Sequence, residues 1–331
     1  MADEDGQDQG RDGVKRAARV TIAAGVALIV LAVAGRLILG AYAPRPVKPA
    51  AGGYLGVAEA GETASYQPVD DFAAAVGRKP NIVLYYSSWK EAFNTRFAGQ
   101  VHAHGALPFV QIDPGDTTLA TIASGRDDAF VRSYARQVGA YGHPVIIGFA
   151  AEMNGDWDPW GYRHTPAGTF VAAWRHLVTV FRQQGAGNVI WLWTVNITDS
   201  RTGPVQEWWP GAAYVTWVGI DGYYYQRDYS FANAFLPTIA EVRIFTKRPI
   251  LLSETGVGQV AGQAAKIPDL FAGVRTSHLL GLVWFDRAQA GSLYHQNWRL
   301  EGHPAGLAAF RRALRTYQDP APAGMETAGL P

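Results

Sequence analysis

The amino-acid sequence predicts an α/β fold, a single (β/α)8 TIM barrel preceded by an N-terminal transmembrane helix. Three observations lead there. From Gly53 onward, short apolar runs alternate with stretches of helical apolar spacing, and eight such units fit into about 265 residues, the size and rhythm of this barrel. Several runs, Val145-Ile146-Ile147-Gly148-Phe149-Ala150 among them, are apolar throughout rather than alternating, which marks strands buried on both faces of a parallel sheet. A doubly wound sheet, the structural alternative, usually carries a Gly-rich phosphate loop after its first strand, and Gly53–Glu59 offers none.

The elements follow in order. Residues 1–19 are polar and carry Arg11, Lys15, Arg16 and Arg19, so they read as a cytoplasmic tail, with basic residues on the inner side of the membrane. Residues 20–42 read as the anchor. Val20 to Gly35 is free of charge and the apolar character resumes through Leu39, so at about 1.5 Å per residue this run spans the roughly 30 Å hydrocarbon core. Arg36 sits near the outer end, where its stem can snorkel to the headgroups. Ala41-Tyr42-Ala43 has the small-residue form of a cleavage site, but Pro44 directly after it disfavours cleavage, and the uncleaved anchor is the favoured reading. Residues 43–52 form a Pro- and Ala-rich linker, 53–317 the barrel, and 318–331 a tail expected to be disordered.

Within the barrel the expected strands are Tyr54–Ala58, Asn81–Ser87, Leu107–Ile112, Val145–Ala150, Asn188–Thr194, Tyr214–Ile220, Pro249–Leu252 and Leu279–Phe285. Helices are expected over Asp70–Val76, Glu91–His104, Asp127–Tyr141, Pro166–Gln184, Phe231–Thr246, Ala261–Thr276 and Pro304–Tyr317, with only a short helical piece near Gln206–Trp209 after the fifth strand. Thr165 followed by Pro166 has the form of an N-cap with Pro at the first helical position, and Gly185 that of a stop.

Composition narrows the function. Of 331 residues 48% are hydrophobic and 17% charged, and the formal net charge is +1, so no basic field exists to hold nucleic acid. The chain has no cysteine, which excludes disulfides, thiolate catalysis and Cys-type zinc sites. Eleven Trp and fifteen Tyr are many for this length. Broad aromatic faces stack on sugar rings, though such residues also fill large cores.

Catalytic groups of such a barrel lie where strands end. The second strand ends at Tyr85-Tyr86-Ser87-Ser88-Trp89, the third at Asp113, the fourth at Ala151-Glu152-Met153-Asn154-Gly155, and the fifth at Asn196. The sixth ends at Asp221-Gly222-Tyr223, the seventh at Ser253-Glu254-Thr255-Gly256, and the eighth at Trp284-Phe285-Asp286. Glu152 and Glu254 each follow an apolar strand directly. A carboxylate there is costly to bury unless it is hydrogen-bonded or functional. Two Glu facing each other across a barrel mouth is what glycosidic cleavage requires, one to protonate the leaving oxygen and one to attack the anomeric carbon or activate water. The alternative is that each pairs with Arg or Lys at the rim. Asp113 and Asp221 could bind sugar hydroxyls or cap strand ends. Neither a His-Glu-x-x-His motif nor a Gly-x-Ser-x-Gly elbow is present, and no metal or cofactor is expected.

Several of these motifs, taken together, resemble glycoside hydrolase family 26. They are Glu152-Met153-Asn154-Gly155 with Trp157, Trp160-Gly161 and Trp174-Arg175; Asn188-Val189-Ile190-Trp191 leading to Asn196; Gly219-Ile220-Asp221-Gly222-Tyr223; and Ser253-Glu254-Thr255-Gly256. The resemblance covers about residues 53 to 315. It implies a retaining β-mannanase-like enzyme with Glu152 as acid/base and Glu254 as nucleophile. Trp89, Asn154, Trp157, Trp160, Asn196, Asp221, Tyr223 and Trp284 are then the candidates to bind substrate. Tyr223 matches a tyrosine that contacts the nucleophile in the family, while Trp157 and Trp284 match cleft aromatics. The family's mannanases usually carry an Arg-x-x-His-Glu pattern, whereas here those positions hold Gly148 and Ala151. Weak activity on plain β-mannan is therefore expected. The expected partner is an extracellular or cell-surface β-linked polysaccharide, cleaved outside the membrane that the N-terminal helix would span. The competing reading is a non-catalytic glycan-binding barrel that assists surface polysaccharide assembly.

Overall fold

The computed structural model describes residues 53–58, 61, 63–289 and 296–317. The expected cytoplasmic tail, anchor, linker and C-terminal tail lie outside them, and among the described residues no helix is long and apolar enough to cross a membrane.

Eight parallel strands close into a barrel in sequence order: β1 (Tyr54–Ala58), β2 (Ile82–Ser88), β3 (Leu107–Asp113), β4 (Val145–Phe149), β5 (Val189–Asn196), β6 (Trp217–Tyr224), β7 (Ile250–Val257) and β8 (Gly281–Phe285). β8 pairs with β1 from Tyr54↔Gly281 to Ala58↔Phe285, which completes the ring and leaves no sheet edge. The outer shell consists of α1 (Gln67–Val76), α2 (Thr95–Ala103), α3 (Leu119–Ala123), α4 (Asp128–Tyr141), α5 (Ala167–Gln183), α6 (Phe231–Ala234), α7 (Leu236–Phe245), α8 (Gln263–Thr276) and α9 (Pro304–Thr316). A small antiparallel pair, β9 (Ala288–Gln289) with β10 (Gln296–Asn297), follows β8 at the barrel mouth.

The strand period of two sorts the core into two layers. Leu84, Phe109, Ile146, Ile190, Leu192 and Leu251 point inward and fill the barrel. Their neighbours along the strands, including Val83, Val110, Ile147, Trp191, Trp193 and Leu252, point outward and pack under the helices. One consequence corrects a sequence expectation. Trp284 lies between the inward residues Val283 and Phe285, so its side chain faces out, is fully buried, and meets Phe310 of α9 at 5.1 Å.

Boundaries differ where polar residues continue a ladder. β5, β6 and β7 extend to Asn196, Tyr224 and Val257, beyond the apolar runs, because Asn196↔Asp221 keeps the ladder at the rim and Asp221↔Glu254 resumes it after a shift of register that passes over Ser253. The helix expected over Phe231–Thr246 breaks at Phe235, with Pro237 in the first turn of α7, where its missing N–H costs nothing. The helix expected from Glu91 begins at Thr95, where the Asn94 side chain accepts the Phe97 N–H. Pro166, extended at ψ 135°, is itself the N-cap of α5, and the Thr165 hydroxyl donates to the Pro159 carbonyl instead.

Candidate active site

Glu152 sits in the turn that follows β4. Its φ is +56°, and that of Ala150 is +46°. Left-handed backbone is unfavourable for a residue with a side chain, and two such residues so close together mark a place where surroundings override local preference. The Glu152 N–H donates to the Thr194 carbonyl of β5 at 3.0 Å, and the Gly155 N–H donates back to the Glu152 carbonyl at 2.8 Å. Both carboxyl oxygens are held. Asn196 Nδ2 donates to Oε1 at 2.6 Å and Trp157 Nε1 to Oε2 at 2.8 Å. Asn196 is in turn fixed by Asn154, which accepts the Asn196 N–H at 2.8 Å and donates to its carbonyl at 2.9 Å. Trp160 closes the turn by donating to the Ala151 carbonyl at 2.8 Å.

Glu254 stands on β7, beside Asp221 in the ladder. Tyr86, at the end of β2, donates to its Oε1 at 2.5 Å, and Tyr223, at the end of β6, donates to its Oε2 at 2.7 Å. Tyr223 is packed by Trp298 at 4.7 Å and Phe285 at 5.7 Å, so its hydroxyl has little freedom to leave. The Arg287 guanidinium lies over the Tyr86 ring at 5.5 Å and over the Phe285 ring at 5.6 Å. Asp221, almost fully buried, accepts the Ser253 hydroxyl at 2.6 Å and the backbone N–H of Glu254.

These surroundings separate the two carboxyls. Burial, followed by the negative charge of Glu254, pushes the Glu152 carboxyl up to about 8, and the donors Asn196 and Trp157 offset this only in part. Burial also raises Glu254, but Tyr86, Tyr223 and Arg287 all oppose it by favouring the anion. Both carboxyls are raised, but Glu152 is the one pushed up to about 8, while Glu254 is the one whose donors and cation favour the anion. Two carboxyls driven apart by environment mark acid and base assignments. Asp221 is raised well above its usual range by burial and by Glu254 and Glu152. Asp113 is pushed up to about 7 by burial and by Asp158 and Glu254. Burial foremost, then the nearby Glu254, keeps the Tyr86 and Tyr223 hydroxyls protonated, so they act as donors. Among the described residues no group of three or more His, Asp or Glu is arranged to hold a metal ion.

Of the residues singled out from sequence, Glu152, Glu254, Trp157, Trp160, Asn196, Asp221 and Tyr223 converge on this rim. Three do not reach the cleft surface. Trp89 is turned into the helix shell, with its indole N–H on Asp127 at 2.8 Å and its ring against Phe130 and Phe149. Trp284 faces outward, as described above. Asn154 is fully buried, and its amide is spent on the Asn196 backbone. Sequence reasoning did not single out Tyr86, Phe285, Arg287 or Trp298. For Tyr86 a signal existed, because it lies two residues from the inward Leu84 and so shares its face; Trp298 comes from beyond β8 and carried none. Of the two substituted positions of the family pattern, Gly148 is explained by its neighbour and Ala151 is not. A Cβ on Gly148 would lie 2.1 Å from Gln111 Oε1, so the neighbouring strand's amide occupies the space a larger residue would need.

The structure is thus a closed parallel barrel with two buried glutamates, each held by side-chain donors, at its carboxyl-terminal rim. The family model for glycosyl hydrolase family 26 matches residues 129–269. Endoglucanase H of Acetivibrio thermocellus is 28% identical over 270 residues, covering 77% of this chain and 29% of the relative. Beta-1,3-xylanase TXYA of a Vibrio species is 29% identical over 112 residues, 33% of this chain and 23% of that protein. The chain thus spans less than a third of the length of these curated relatives. A GH26 β-mannanase from Bacteroides ovatus shares the fold with a TM-score of 0.61 at 16% identity, covering 88% of this chain and 95% of the other. Over residues 129–269, then, the chain is similar to glycosyl hydrolase family 26.

Proposed function

We propose that the barrel hydrolyses a β-linked polysaccharide, β-glucan or β-mannan-like, by a retaining double displacement. The observation that carries this reading is the unequal surroundings of the two rim carboxyls, both buried but only Glu254 held by two tyrosine hydroxyls and faced by a guanidinium. Glu254, held by two hydroxyls and faced by Arg287, attacks the anomeric carbon. Glu152, held protonated by burial, gives its proton to the departing oxygen; the resulting carboxylate, steadied by Asn196 and Trp157, then takes a proton from the water that releases the glycosyl-enzyme. The names of the similar proteins, an endoglucanase and a β-1,3-xylanase, agree on β-linked glycans but not on the sugar. With Gly148 and Ala151 in place of the Arg and His of the family's mannanases, β-mannan is expected to be a poor substrate. Sequence alone, through the apolar run of residues 20–39, supports a membrane tether with the barrel outside the cytoplasm; fractionation with external protease tests that part.

Reducing-sugar release from a panel of β-glucans, β-xylans and β-mannans, with Glu254→Gln as control, tests the activity. Release that vanishes in the control supports the reading; no release from any glycan, together with binding that survives Glu254→Gln, overturns it.

A further inference from the structure

Trp157 supplies one of the two donors that hold Glu152, yet its ring needs a hold of its own. A Cβ built on Gly155 would lie 2.2, 2.3 and 2.5 Å from Cζ2, Cη2 and Cε2 of the indole. The indole therefore packs directly against the Gly155 backbone, in space that a side chain there would fill. The Arg201 guanidinium lies over the same indole, 5.3 Å from the ring centre. Arg201 comes from the segment after β5, and that segment is laced to the Glu152 turn. Arg201 Nε and Nη2 both donate to Asp156 Oδ1, at 2.8 and 2.7 Å. The Arg201 N–H donates to Asp199 Oδ1 at 2.7 Å, Gly203 N–H donates to the Asn154 carbonyl at 2.7 Å, and Thr202 bridges Gly155. Arg163 reaches the other oxygen of Asp156 only at 3.7 Å.

We infer that Arg201, anchored by Asp156, is a positioning residue for the proton donor: it holds Trp157 so that the indole N–H stays on Glu152. The inference rests on Glu152 being the acid. The Arg201–Asp156 pair is too exposed for its own attraction to contribute much to stability, and a cation over an aromatic face gains little at such a site except orientation. What the pair fixes is geometry, and general acid catalysis is sensitive to geometry.

The test separates position from fold by varying the leaving group. Intact protein, Arg201→Ala, Arg201→Lys and Asp156→Asn are assayed for kcat and KM on phenyl and dinitrophenyl β-cellobiosides and β-mannobiosides. Dinitrophenolate leaves without a proton; phenolate needs one. Arg201→Ala is expected to lose about 10- to 100-fold in kcat/KM on the phenyl glycosides, within the range of general acid help, and less than about twofold in kcat/KM on the dinitrophenyl ones, whose kcat falls instead because Glu152 also serves as the base that releases the glycosyl-enzyme. Arg201→Lys should recover part of the loss, since it keeps a cation but not the two-pronged hold on Asp156. Asp156→Asn should show the same leaving-group dependence in milder form, and it carries the test if Arg201→Ala does not fold. An equal loss of kcat/KM on both leaving groups, or no change in any variant, would overturn the inference while leaving the function in place. An intact protein inert on every glycoside and glycan would remove the acid reading of Glu152 and the inference with it.

Discussion

Tyr86→Phe removes one hydroxyl and leaves the ring on which Arg287 stacks. In the intact protein two hydroxyls, at 2.5 and 2.7 Å, donate to the Glu254 carboxyl. A hydrogen bond to a charged group is worth about 1.5–3 kcal/mol net, and one pKa unit corresponds to about 1.4 kcal/mol. Because the donor favours the anion, its loss raises Glu254 by roughly one to two units. The nucleophile must be ionised to attack, so the acid limb of the kcat/KM–pH profile, set by Glu254, should move up by that amount while the basic limb, set by Glu152, stays nearly fixed. Tyr223→Phe should act in the same direction, its ring remaining packed between Phe285 and Trp298. The assay is initial-rate kinetics across pH on a phenyl glycoside, whose leaving group needs the proton and so keeps the basic limb visible. An acid limb that does not move, or a basic limb that moves in its place, would refute the assignment of Glu254 as the group these tyrosines hold ionised for attack.

Four further outcomes are expected. Glu152→Ala should lose about 10²–10⁴-fold on glycans yet still accumulate glycosyl-enzyme on an activated aryl glycoside, with azide restoring turnover and giving retained product; Glu254→Ala should fail on both, and the opposite pattern by product analysis would exchange the roles. Glu152→Gln should stabilise the fold with a pH signature. The folded Glu152 holds its proton up to about 8 against an ordinary value of 4.5, so its contribution is fully present below about 4.5 and lost as pH rises through 8. The melting-temperature gap between variant and parent should therefore widen across that window and level off above it, whereas a gap independent of pH would contradict the burial argument. Gly148→Arg should destabilise by about 1–3 kcal/mol through overpacking against Gln111, and Gln111→Ala in the same chain should recover part of it, as read by denaturant unfolding. Ala151→His alone should not create strong mannan hydrolysis.

The chain order of β and α units, the parallel sheet and the two carboxylates at strand ends were legible in the residues, because burial on both faces demands unbroken apolar runs and a lone Glu after such a run stands out against them. Tyr223 and Asn196 were legible from their motifs, and the resemblance to family 26 gathered them into one site. What the sequence could not carry was direction and partnership. Trp284 ends an apolar strand as a cleft residue would, but which face it takes depends on the register with β1, fixed only when the barrel closes. Trp89 likewise reads as a mouth aromatic until α4 brings Phe130 against it. Tyr86 and Glu254 are 168 positions apart, and Arg201 and Trp157 belong to different loops. The sequence by itself determined which groups could do acid and nucleophile chemistry. The roles of the two came from the resemblance alone; only the tertiary structure supplied what surrounds each carboxyl, because that depends on how much water each loses and on which donors and charges from distant strands come to face it.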